Sequence, residues 1–144
     1  MDYKIKTSDR EKRYEITKRL KEFFSISKNV IFVFLFGSFA KGNVTPLSDI
    51  DIAAFFRNTP DFYRINDMRE ELSELLNIAA VDIVVLNNAS PIIKMQVLKK
   101  GNILVNKVPG IYNSFFVSTV KEYDDLKQLR KEVEENILRG KIYA

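Results

Sequence analysis

Seven consecutive apolar residues, VIFVFLF (Val30 to Phe36), interrupt an otherwise mixed chain and end at Gly37. So short an unbroken run, rich in β-branched and aromatic side chains, predicts a central strand buried on both faces. A second strand is expected from about Asp49 to Phe56, a third over VDIVVL (Val81 to Leu86), and a short fourth from Ile103 to Val105. Ser8-Asp9-Arg10-Glu11 has the form of a capping box and predicts a helix to about Ser25, with Ile16, Leu20, Phe23 and Phe24 on its apolar face. Thr59-Pro60 and Ser90-Pro91 each set a capping side chain before a proline, the pattern that opens a helix. The first of these helices should reach about Leu76, and Gly101 should stop the second. A long helix from about Asn113 to Arg139, closed by Gly140, carries Phe116, Val120, Tyr123, Leu126, Val133 and Ile137 on one stripe. The order α-β-β-α-β-α-(β)-α describes a single α/β (α+β) domain over 1–144. Its core lies at about 30–105, with helices packed on a small mixed sheet.

The 144 residues include neither cysteine nor histidine. Disulfides, thiolate metal sites, cysteine nucleophiles, imidazole ligands and Ser-His triads are thereby excluded. Acid-base or metal chemistry must run on carboxylates, lysines or tyrosines. The opening MDYKIKTSDREK is polar, and no apolar run approaches membrane-spanning length, so a cytoplasmic protein without membrane partners is expected. The net charge of +4 is compatible with a nucleotide partner and equally with ordinary solubility.

Chemistry concentrates in FGSFAKGNVTPLSDIDIAAFF (Phe36 to Phe56). Strand alternation puts Asp49 and Asp51 on one face and Ile50 on the other. Two such carboxylates repel, which raises the pKa of one unless a cation lies between them. Oxygen-only ligands suit a hard divalent ion, most naturally Mg2+ with waters and a phosphate retained in its shell. If the second and third strands are neighbours, Asp82 joins the pair. Three aspartates can hold two ions and polarise an attacking hydroxyl, as in two-metal phosphoryl or nucleotidyl transfer. Gly37 permits a tight turn with close approach of backbone N–H groups to an anion. Ser38 adds a hydroxyl, and a helical turn from Phe39 to Lys41 can aim its N-terminus at a phosphate. Lys41 supplies a positive charge or faces solvent, and Gly42 ends the turn. Each piece alone has a bland account: a common turn, a capping loop, a surface residue at a strand edge. Joined as G-S-x3-G-x5-S-D-x-D, with an acidic residue in a strand some thirty positions on, they form a functional motif.

The residues GSFAKG, SDID and VD resemble the active-site pattern of the DNA-polymerase-β-like nucleotidyltransferase superfamily. The small size resembles its minimal members, the MNT proteins, and among them the MntA-like antitoxins. The resemblance covers roughly Val30 to Val105 and implies the nucleotidyltransferase fold. It further implies that Gly37 and Ser38 bind the nucleoside triphosphate, ATP, joined by Lys41 and Ser48. Asp49, Asp51 and Asp82 would ligate Mg2+, two ions in all, and Asp82 would activate the acceptor hydroxyl. The implied partner is a HEPN-domain ribonuclease toxin, silenced by transfer of AMP to one of its tyrosines. Lys41 stands where relatives often carry arginine; it keeps the charge and loses the planar fork.

Two other functions fit the same residues: an antitoxin that neutralises its toxin by binding alone, and a nucleotidyltransferase acting on a small hydroxylated molecule. Against the latter, no second domain is expected in the chain to form an acceptor pocket. On the last helix the stripe is expected to pack on the sheet; the alternative is a docking surface around Phe115, Phe116 and Tyr123 for a helical toxin or a second copy. The basic residues of the first helix alternate with Glu11, Glu15 and Glu22, so a solvated face rather than a nucleic-acid site is expected. Phe55, Phe56, Phe62 and Tyr63 are expected in core and loop packing.

Overall fold

The computed structural model describes residues 2–40 and 49–140, with the side chains of residues 2–9, 38 and 40 left out of that description. VIFVFLF forms strand β1 (Val30–Phe36), followed directly by a helical turn, α2 (Gly37–Ala40). The other strands are β2 (Ile50–Phe56), β3 (Val81–Val85) and β4 (Asn102–Asn106), in the sheet order β3-β2-β1-β4. β1 pairs antiparallel with both β2 and β4, whereas β2 and β3 run parallel. The mixed sheet and the central, doubly covered β1 are as the sequence predicts.

Helices cover both faces. On one, α1 (Asp2–Ser25) and α3 (Phe62–Leu76) bury Ile16, Leu20, Phe24, Met68, Leu72 and Leu76 against Val33, Leu35, Ile50, Ile52 and Ala54. On the other, α4 (Pro91–Lys100) and α5 (Pro109–Leu138) bring Val97 and Phe115 onto Phe32, Phe34 and Ala53. Phe32 is the hub of this second layer. Phe55 stacks on it at 5.0 Å, Tyr112 meets it edge-on at 5.3 Å and Phe115 tilts against it at 5.1 Å. Such ring pairs add to the stabilisation that burial alone provides. Beyond the end of β3, the side-chain amide of Asn87 continues the ladder. It accepts from Phe56 N at 2.9 Å and donates to Phe56 O at 2.8 Å.

Several boundaries differ from the expectation. α1 begins at Asp2, so Ser8 lies inside the helix and its capping box opens nothing. α3 is capped by Asp61 rather than Thr59: its extended backbone (φ −80, ψ 173) lets the carboxylate accept from Arg64 N at 2.8 Å, and Pro60 precedes the cap. β3 stops at Val85, and Leu86 belongs to a single 3-10 turn, Leu86–Asn88. Ser90 does cap α4, its hydroxyl accepting from Ile93 N at 3.2 Å. Phe62 and Tyr63 are not packed into the core; they stand 71% and 77% exposed at the start of α3. On α5 the buried residues are Phe115 and Thr119, one step round the helix from the expected stripe, and Phe116, Val133 and Ile137 remain exposed. Among the described residues, no helix is long and apolar enough to cross a membrane.

Gly101, which closes α4, is required by space rather than by dihedral angle. A β-carbon there would lie 2.6 Å from Val97 O and 3.1 Å from the Phe34 ring. The helix end therefore sits directly on β1. Gly101→Ala is expected to destabilise the fold by about 1–3 kcal/mol. Urea unfolding checks it, and an unchanged midpoint would show that the junction can relax.

Candidate active site

The site lies at one end of β2, where three strands meet. The register sets Asp51 opposite Phe36, the last residue of β1, and opposite Asp82 on the parallel neighbour β3. Gly37 follows Phe36 directly, so the chain turns away from the sheet beside the Asp51 carboxylate. Its φ of +79 is open to glycine and disfavoured for every L side chain. Space makes the same demand, since a β-carbon at Gly37 would overlap the Asp51 carboxylate. Phe39, 1% exposed, anchors α2 in the core, and the Arg13 guanidinium lies over its ring at 5.9 Å. The backbone turn at Gly37 and Asp51 of β2 are therefore one structural unit.

Ile50, Ile52 and Ala54 face the α1/α3 layer, which leaves Asp51 on the α4/α5 face with Ala53. β3 alternates in step: Val81 and Ile83 pack with the α1/α3 layer and Val84 with the other, so Asp82 shares the face of Asp51. Asp49 is exposed and immediately precedes β2. Burial raises the Asp51 pKa above the ordinary carboxylate range, and the charges of Asp82 and then Asp49 raise it further. These carboxylates thus act on one another, as the sequence reading requires. Lys41 and Ser48 fall outside the described residues, as does the side chain of Ser38.

One residue of this region carries no sequence signal. Arg69 of α3 donates from Nε to Val81 O at 3.1 Å and from Nη2 to Asp82 Oδ1 at 3.1 Å. Its partner lies thirteen positions along the chain, across a helix-to-strand connection, so no local spacing announces the pair. Among the described residues, no three acidic side chains are gathered closely enough to form a ready-made metal cage.

The electrostatic conflict at Asp51 has a measurable cost. Folding raises its pKa, so its charged form opposes folding above the folded pKa. That penalty fades as pH falls through the folded pKa toward the ordinary carboxylate range. In chelator-treated protein, Asp51→Asn should therefore melt higher at neutral pH, by on the order of a degree or two, and the gap should close on acidification. A series of melting curves against pH checks this; a gap that widens in acid would contradict it.

Residues 18–109, more than half of the chain, match the polymerase beta nucleotidyltransferase family. A candidate protein adenylyltransferase of Methanocaldococcus jannaschii is 35% identical over 71 residues, 49% of this chain and 77% of the relative. The protein adenylyltransferase MntA of Shewanella oneidensis is 29% identical over 106 residues, covering 74% of this chain and 75% of the relative. A toxin–antitoxin crystal structure with AMP-PNP superposes with a TM-score of 0.70 at 27% identity, over 83% of this chain and 98% of that one. A complex of a tri-AMPylated Shewanella oneidensis HEPN toxin with its MNT antitoxin gives 0.64 at 25% identity, over 90% of this chain and 98% of that one. With its glycine turn set against two registered aspartates, the chain belongs to the polymerase beta nucleotidyltransferase family.

Proposed function

We propose that this chain is a protein adenylyltransferase that moves AMP from ATP to a tyrosine hydroxyl of a HEPN-domain toxin, and so acts as that toxin's antitoxin in the cytoplasm. The observation that carries the reading is the junction of Gly37, Asp51 and Asp82 on three adjacent strand ends. Support comes from Shewanella oneidensis: a relative there is named as a protein adenylyltransferase, and an MNT antitoxin has been solved with a tri-AMPylated HEPN toxin.

In this reading the Gly37 turn and Ser38 cradle the triphosphate, with Lys41 and Ser48 contributing. Asp49 and Asp51 are the groups that would hold Mg2+, and Asp82 stands beside Asp51 across the parallel register. Their fit rests on donor chemistry: the oxygens are all carboxylate, and the charges of Asp82 and Asp49 raise the pKa of Asp51. A complete cage is not needed, because Mg2+ is commonly bound by one or two carboxylates together with substrate phosphates. When bound, it neutralises triphosphate charge and orients the α-phosphate. The acceptor hydroxyl then attacks the α-phosphorus in line, the bond to the bridging oxygen breaks, and pyrophosphate leaves. Asp82, on the exposed edge strand, takes the hydroxyl proton. Catalysis is positioning plus charge stabilisation, with no covalent enzyme intermediate.

Incubation with α-labelled ATP, Mg2+ and the cognate HEPN protein should label that protein. Asp49→Asn and Asp51→Asn should each reduce labelling by about 100-fold or more. Undiminished labelling in both variants would overturn the metal assignment. Full toxin neutralisation by the double variant would instead identify an antitoxin that works by binding alone.

A further inference from the structure

We infer that Arg69 is a positioning residue of this active site, fixing the Asp82 carboxylate at the open edge of the sheet. The inference rests on the role proposed above for Asp82. α3 lies in the α1/α3 layer, on the sheet face opposite the aspartates, and buries Met68, Leu72 and Leu76 there. β3 is an edge strand, so a side chain from α3 can reach past it to the other face. Arg69 does so with two donors of one rigid fork. Nε is tied to the Val81 carbonyl and Nη2 to Oδ1 of Asp82, both at 3.1 Å. The backbone bond fixes the guanidinium plane; the second bond then fixes where Oδ1 can be.

Stability does not account for the pair. The side chains of Arg69 and Asp82 are 43% and 57% exposed, and ion pairs so wet contribute little to folding. What the pair does supply is order. A carboxylate on an exposed strand edge otherwise samples several rotamers, and a proton acceptor misplaced by about 1 Å loses much of its effect. Because Arg69 bonds Oδ1, Oδ2 is the oxygen assigned to the acceptor hydroxyl.

Three variants test the assignment: Arg69→Gln, Arg69→Lys, and Arg69→Gln combined with Asp82→Asn. In steady-state transfer from ATP to the cognate HEPN protein, Arg69→Gln should lower kcat by about 10–100-fold. The KM for ATP should stay within about twofold, since the triphosphate site is untouched. Arg69→Lys, which retains the charge without the fork, should recover part of the loss. In the Asp82→Asn background, Arg69→Gln should cost nothing further, because the group it positions is already gone. Independently of turnover, the 13C carboxyl resonance of Asp82 in nucleotide-free, metal-free protein should shift in Arg69→Gln while that of Asp51 stays in place. An unmoved Asp82 resonance, a wild-type kcat in Arg69→Gln, or an undiminished loss in the Asp82→Asn background would each overturn the assignment. Absence of labelling by the parent protein would count against the proposed function instead, and the resonance would still decide the role of Arg69.

Discussion

The rest of the molecule is arranged around the desolvation of β1. Six of its seven residues are buried, and β1 lies between β2 and β4, which complete its backbone hydrogen bonding on both edges. An unpaired peptide group in such a place would cost on the order of 1–3 kcal/mol, so neighbours on both sides are obligatory. Full burial of each large apolar side chain contributes roughly 1.5–3 kcal/mol, which requires a helical layer above the strand and another below. The same strand sets the site. Where its apolar run ends, Phe36 is in register with Asp51, and the turn at Gly37 begins beside that carboxylate.

Features unfavourable to folding are concentrated at that one place. Asp51 is partly desolvated and faces two further carboxylates. Neither assists the fold. In the proposed function a cation and a triphosphate would act there together: the ion would meet the carboxylates, and backbone N–H groups at the turn would meet the phosphates. Perturbed carboxylates cluster at sites shaped for a ligand rather than for stability.

Much of this was legible in the sequence, for definable reasons. The apolar run identified β1, and Asp51 and Asp82 lay where adjacent parallel strands bring them into register, with Asp49 just before β2. Less legible was anything decided by layer packing. α5 offers two neighbouring stripes at the same spacing, one through Phe116 and Val120 and the other through Phe115 and Thr119, and only packing decides that the second is buried. Pro60 could follow a cap or precede one, and the Asp61 carboxylate, free to reach Arg64 N, settled it. Ser8 had the chemistry of a cap, but a cap needs a helix end, and the helix continues to Asp2. Arg69 was invisible because its significance is the relation of a helix flank to a strand edge.

The two registered aspartates differ in environment because their strands do. β2 is interior, with β1 on one side and β3 on the other, so Asp51 is partly shielded from water. β3 is an edge, where a charge is tolerated and discourages pairing with a foreign strand; the Asp82 side chain is 57% exposed there. In adenylyl transfer that asymmetry is useful. A group that would share an ion with the triphosphate, as proposed for Asp51, gains from a lower local dielectric, which strengthens its interaction with the cation. The group that must meet a hydroxyl carried by another protein has to stand at the rim. A parallel pairing of one interior and one edge strand supplies both environments within a single register position, and Arg69 gives the outer carboxylate the order that its exposure would otherwise take away.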